Sequence, residues 1–420
     1  MQEEQAFYRL PEESFPGISY KEHAEDLRGF RALIDSLGIK THNTRISRYV
    51  QYFDEVASGG DINEQKIFKN VKDARFSSPL DWQLYLLREA HELMWIFRGL
   101  KKHAPKGIEN KLEQLVRGSD FAALDTNTEP RDTQFELRVA SYFCQAGSMV
   151  DVSTDTDVIA IGEDHAYIIE CKRIAGIRNL RDNLMKAREQ IALRIPRTLE
   201  GRRAFGVIAA DVTKLGFLHN GLTMGMTADH TKDIIQKKLL LIAQQVEKLK
   251  IFNGCPEVVE CWLQIHMPAI IMHPPATITR FSSFSASNPK ADRRSRRAIK
   301  ELHFITQVVR SVDDREIKPK KLKLRSSIEV PAGTEFYLEC ELVNTVLSGE
   351  KFEGYSQEKV IASMKANGVT HEFTVIELEM VMGRFTSEQI LKLLASDGQE
   401  RIELILQMFA QRYPYEGSAY

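Results

Sequence analysis

Apolar positions recur at helical spacing through the first third of the chain. In the stretch 27–37, Leu27, Phe30, Leu33, Ile34 and Leu37 fall three or four residues apart, the signature of a helix with one buried face. The longest such stripe runs from Asp81 to His103 through Leu84, Leu87, Leu93 and Phe97. Residues 1–125 therefore read as a helical N-terminal region whose leucines and aromatics serve a core. Between Arg117 and Arg131 the sequence turns polar and meets Pro130, a candidate domain boundary.

Beyond that boundary the period changes. A helix is predicted over 133–145, with Phe135, Val139 and Phe143 on one face and Gly147 as its stop. Short apolar runs follow at 149–152, 158–161 and 166–171, with a polar Gly162–Asp164 turn joining the last two as a hairpin. A helix over 179–194 and a strand over 205–210 complete an αβββαβ order, which predicts a mixed sheet with helices packed on its faces. A helix at 232–250 and a strand at 258–271 extend it, so this core is drawn over 131–275. The serine-rich 282–287 stretch and the basic text after it read as a loop, giving a basic connector over 276–326. Residues 327–420 read as a small α+β domain, with a strand at 335–343 and helices at 357–366, 387–395 and 399–412. Thr386 with Gln389 fits a capping box, and Gly398 separates the last two helices. The fold class expected is thus α/β: a mixed sheet flanked by helices, a helical N-terminal region and a small α+β C-terminal domain.

Composition narrows the class without naming a chemistry. The 420 residues are 43% hydrophobic and 27% charged, with net charge −1. This is a globular balance without global affinity for polyanions. No apolar run approaches a membrane span, and the polar, acidic start lacks a signal-peptide pattern. Five cysteines with no CxxC pair argue against a disulfide framework or a cysteine zinc site. A cytoplasmic protein with core thiols is expected, with no membrane partner. Charge is concentrated locally: residues 290–325 hold 13 Lys/Arg against 5 Asp/Glu, a segment suited either to phosphates or to a solvated connector.

The chemically informative text is TDTDVIAIGEDHAYIIECKR, residues 154–173. Alternation along the strand puts Ile168, Glu170 and Lys172 on one face and Tyr167, Ile169 and Cys171 on the other. An acid and a base at the end of an apolar strand are costly to bury singly, so their pairing calls for a reason. Asp157 precedes the neighbouring strand and approaches Glu170 across the ladder if the two strands pair. Two carboxylates at one point suit a hard cation such as Mg²⁺, which polarises a phosphoryl oxygen and activates water. Lys172 would then position that water or stabilise developing charge. Asp155 shares a strand face with Asp157 and is its rival. His165 is placed in the hairpin turn, exposed. His266 and His273 lack metal spacing.

An acid, a 12-residue gap and then Glu170-Cys171-Lys172 resemble the two half-motifs of the PD-(D/E)xK nuclease superfamily, also called restriction-endonuclease-like. Thr156 stands where the family name has proline. The resemblance covers about 80 residues. It implies a metal-binding glutamate in the preceding helix, matched by Glu136, and a polar residue in the following helix, matched by Gln190. It also implies Mg²⁺-dependent hydrolysis, with Mn²⁺ as substitute, of DNA in preference to RNA, leaving a 5′-phosphate. Glu136, Asp157 and Glu170 would hold the metal and Lys172 would serve the water. Arg173, Arg178 and Arg181 follow the strand as candidate contacts to substrate phosphates. Restriction or phage defence is the role suggested by analogy, with a protein partner or a homodimer left open. The competing expectations are a module of the same fold that binds nucleic acid without cutting, and an RNA-directed nuclease.

Overall fold

The computed structural model describes residues 8–14, 17–59, 62–217, 221–308, 318–350, 355–396 and 398–416. The chain divides into two compact units. The larger comprises residues 17–271 and 275–317, and the smaller comprises 1–16, 272–274 and 318–420.

The larger unit begins with helices α1 (Tyr20–Ser36), α2 (Arg45–Ala57), α3 (Pro79–Lys102) and α4 (Ile108–Val116). Ser19 and Glu22 close a reciprocal cap at the start of α1, at 3.2 and 2.7 Å, satisfying donors that a helix end leaves open. Leu27, Phe30 and Ile34 face inward and join aromatics of α2 and α3 in one apolar cluster. Helix α3 is buried nearly all round over Glu89–Leu100, as befits a central helix. It crosses α5 (Glu129–Gln145) so closely that a Cβ at Gly99 would stand 2.8 Å from the Cβ of Ser141, a crossing that requires glycine.

The sheet that follows contains β1 (Met149–Asp151), β2 (Val158–Ile161), β3 (His165–Arg173) and β4 (Arg202–Asp211). It also contains β5 (Thr223–Gly225), β6 (Val258–Met272) and β7 (Pro275–Ser287). Their order is β1-β2-β3-β4-β6-β5, with β7 and the short Thr198–Leu199 strand paired to β6 and β4. The first three strands run antiparallel, whereas β3, β4, β6 and β5 are parallel to their neighbours. The parallel centre explains the continuous apolar runs of β3 and β4, because helices cover both faces. On one face Val139 and Phe143 of α5 pack with Tyr167 and Ile169, joined by Ala298, Leu302 and Ile305 of α8 (Arg293–Val308). On the other, α6 (Leu180–Arg194) and α7 (Ala228–Lys248) pack Leu184, Ile191, Ile235 and Leu239 against Ile208 and Ala210. A helical N-terminal region leading into a large mixed sheet flanked by helices is therefore the architecture of this unit.

The stretch read as loop and connector differs in part. Ser282–Ser287 lies in β7, and Arg293–Val308 forms α8. Ala298, Leu302 and Ile305 are spaced four and three residues apart, so the helix buries one stripe while Arg293, Arg294, Arg296, Arg297 and Lys300 remain exposed. Residues 309–317 of the expected connector lie outside the described residues.

The smaller unit is a three-stranded antiparallel sheet, β8 (Glu335–Leu338), β9 (Val360–Ala366) and β10 (Val369–Thr374). It packs with α9 (Cys340–Leu347), α10 (Val375–Met382), α11 (Ser387–Ala395) and α12 (Gln399–Arg412). The Thr386–Gln389 cap forms as expected. The helix expected at 357–366 is instead strand β9. The deciding signal is Asn367-Gly368, both with positive φ (51° and 79°), linking the paired residues Ala366 and Val369. This is the two-residue hairpin turn whose backbone matches the twist of its strands. Gly368→Ala should cost this unit about 1–2 kcal/mol, because an L side chain resists the left-handed region. Chemical denaturation followed at this hairpin would show it, and an unchanged midpoint would refute the assignment.

Candidate active site

The β2–β3 hairpin sets the site. Its register pairs Val158 with Ile169 and, carried one residue further, sets Asp157 opposite Glu170. The Cys171 amide donates to Asp157 Oδ2 at 2.7 Å, fixing that carboxylate at the strand end. Alternation holds as read: Tyr167, Ile169 and Cys171 enter the apolar layer beneath α5, and Glu170 and Lys172 share the opposite face. The parallel neighbour β4 places Ile208 beside Glu170 and Ala210 beside Lys172, giving the pair an apolar flank.

Lys172 Nζ lies 3.4 Å from Glu170 Oε2 and 3.7 Å from Asp157 Oδ2. Glu170 is fully buried, whereas Lys172 and Asp157 retain 15% and 21% of their side-chain exposure. Lys172 and Asp157 therefore reach solvent, with Glu170 beneath them. Burial, and then the Asp157 charge, push the Glu170 carboxyl up to about 7, against the opposing pull of Lys172 and Arg194. Arg194, from the end of α6, donates to Glu170 Oε1 at 2.8 Å and also to the Asp155 carbonyl. Asp155 is itself exposed, so Asp157 is the aspartate that faces Glu170. Glu136 projects from α5 toward the same region. Its carboxyl is raised by burial and by Asp157, and it pairs with Lys111 of α4 at 2.5 Å. Burial, followed by the Asp157 charge, also raises the Cys171 thiol well above its ordinary range, an inert state for a thiol.

Other expected site residues lie elsewhere. Arg173 points to the opposite face, 3.9 Å from Asp132 and 4.0 Å from Asp211. Arg178 and Arg181 are exposed beyond the strand. Gln190 makes no hydrogen bond to the cluster, and its buried Oε1 has no partner among the described residues. His165 is not an exposed turn residue. It is mostly covered, with Nδ1 2.6 Å from Glu301 of α8, and Glu301 also accepts from Tyr167 and from the Asp164 amide. Two residues escaped sequence reading, Lys111 and Arg194. Arg194 had a signal, since it stands four residues after Gln190 on the same helix face. Lys111 had none.

The expectation of Mg²⁺, or Mn²⁺ in its place, is corrected. Among the described residues no group of three or more His, Cys, Asp or Glu is placed to hold a metal ion. The reason is visible in the pairing. Lys111 takes Glu136, Arg194 and Lys172 take the two oxygens of Glu170, and the Cys171 amide with Lys172 takes Asp157. The positive charge that would draw these carboxylates around an ion comes from the chain itself.

Among the described residues no helix is long and apolar enough to cross a membrane. Comparison with protein-family models, with curated proteins and with solved structures returned no match.

Proposed function

We propose that the chain is a nuclease, a hydrolase of phosphodiester bonds acting on DNA in preference to RNA, on a core of the PD-(D/E)xK, restriction-endonuclease-like type. One observation carries this reading: Asp157 and Lys172 reach solvent side by side over a buried Glu170 that ties Lys172 and Arg194 in place. Lys172 meets a phosphoryl oxygen and stabilises the charge that develops there. Asp157 accepts a proton from the attacking water. The water oxygen bonds to phosphorus as the P–O bond to the 3′ oxygen breaks, and the departing 3′ oxygen takes a proton from solvent, leaving a 5′-phosphate and a 3′-hydroxyl. Glu170 positions Lys172. Restriction or phage defence is the setting that analogy suggests.

The test is cleavage of plasmid, single-stranded DNA and RNA, run both in chelator and with divalent cations added. Lys172→Ala and Asp157→Ala should each reduce the rate by about a hundredfold. Equal nicking by wild type and both variants would sink the proposal. The alternative of a binding module without hydrolysis draws on the neutralised carboxylates. It predicts retained strand binding and no cleavage in any buffer, and the RNA-directed alternative predicts cleavage in the RNA arm alone.

A further inference from the structure

A cavity of about 320 Å³ opens beyond the carboxyl ends of β3 and β4, and it shares no lining residue with the Asp157–Glu170–Lys172 cluster. Its floor is formed where the chain leaves the two strands, at Arg173–Ala175 and at Asp211–Lys214, and α3 and the start of α5 supply its walls. In open α/β sheets this is where ligands bind, outside the carboxyl ends of parallel strands. The volume is at the lower end of the range for small-molecule sites.

The charges lining it are unequally committed. Glu89 receives Arg45 and Arg131, Glu92 receives Arg138, and Asp211 receives Arg138 and the Thr213 amide. Arg45 and Arg138 reach these carboxylates from behind the cavity wall, Arg131 lines the cavity itself, and the fourth lining carboxylate, Asp132, faces Arg173 at 3.9 Å. Arg88, Arg173 and Lys214 face the cavity, and Lys214 makes no ion pair among the described residues. Partial burial, then the Arg173 and Arg88 charges, hold the Lys214 ammonium below its usual range, and an anion would relieve the second of these causes. Arg88 lies over the Tyr85 ring at 4.9 Å, which holds its guanidinium at the cavity wall. The Asn183 amide also lines it, whereas Gln134 spends its Nε2 hydrogens on Glu89 and Glu92.

From this arrangement we infer that the cavity binds the phosphate of a nucleoside phosphate, held on Lys214 with Arg173 and Arg88 lining the same space. The ligand is either a free nucleotide or one residue of a nucleic-acid strand. The inference does not depend on hydrolysis at Lys172.

Calorimetric titration of the full chain with AMP, with adenosine, with inorganic phosphate and with a short 5′-phosphorylated oligonucleotide tests it. AMP or the oligonucleotide should bind, and adenosine should bind at least about tenfold more weakly than AMP, the loss of a charge-assisted contact. Lys214→Gln should weaken binding about tenfold, and Lys248→Gln, an exposed lysine of α7 that lines neither site, should leave it unchanged. Binding of AMP identifies a free-nucleotide site, and binding of the oligonucleotide without AMP identifies a strand residue. No binding of either, equal affinity in Lys214→Gln, or an equal loss in Lys248→Gln would overturn the inference. Because binding is read without turnover, a protein that cleaves nothing would still give a clear answer here.

Discussion

Glu89→Ala is expected to lower the melting temperature of the larger unit by about 10 °C. Glu89 sits inside the helical region at 3% side-chain exposure, with Arg45 at 3.3 Å, Gln134 at 3.0 Å and Arg131 closer still. Burial alone would raise its carboxyl, but Arg131, Arg45 and Arg88 outweigh that and lower it. The two buried arginines keep other partners, Leu115 O for Arg45 and Asp125 with Ser119 O for Arg131. What they lose is the charge that makes their burial tolerable. Removing one member of a buried ion network costs about 3–5 kcal/mol, and for a unit of this size each kcal/mol shifts the melting temperature by roughly 2–4 °C. Differential scanning calorimetry measures this directly. Arg117→Ala is the control: its i,i+4 pair with Glu113 is more than half exposed on both sides, and such pairs contribute little. A Glu89→Ala transition within 2 °C of wild type, with calorimetric precision of about 1 °C assumed, would show that the network is not held by its carboxylate.

The parts of this molecule legible in sequence are those set by local periodicity. The β2–β3 hairpin, the shared face of Glu170 and Lys172 and the stripes of α1, α3 and α5 all follow from spacing. Three stretches depart from expectation although their signals are local. The Ala298–Leu302–Ile305 stripe makes α8 of text whose charge reads as connector, the Asn367-Gly368 turn makes 360–366 a hairpin strand, and the expected 335–343 strand ends at Leu338, with α9 beginning at Cys340. Other features were beyond reach for a different reason. Lys111 meets Glu136 from 25 residues away, and Arg194 meets Glu170 across 24. Which cation reaches which carboxylate depends on how α4 and α6 pack, and no spacing encodes it. The metal expectation failed there: three carboxylates were read from the motif, and the chain's own counter-ions were invisible to it.

The same counter-ions make Glu170 the most informative residue to titrate. Its folded carboxyl ionises near 7, against roughly 4.3 for an unperturbed glutamate in an unfolded chain. Between those values the folded chain holds a proton that the unfolded chain has released. Stability from this group is therefore fully present below about pH 4 and is lost as pH rises through 7. At about 1.36 kcal/mol per pH decade, the loss is on the order of 3 kcal/mol. Glu170→Gln has no proton to release, so urea denaturation across pH 4.5–8 should show the variant gaining on wild type by about that amount, with most of the change complete by pH 7. Arg194 and Lys172 oppose the shift, and they decide how much of it survives. Parallel stability curves for wild type and Glu170→Gln would mean that those two cations keep the carboxylate ionised throughout. Glu170 would then be a fixed anion anchoring Lys172 at every pH. Diverging curves would mean that the anchor loosens its charge near neutrality, so the hold on Lys172 would strengthen as pH rises past 7.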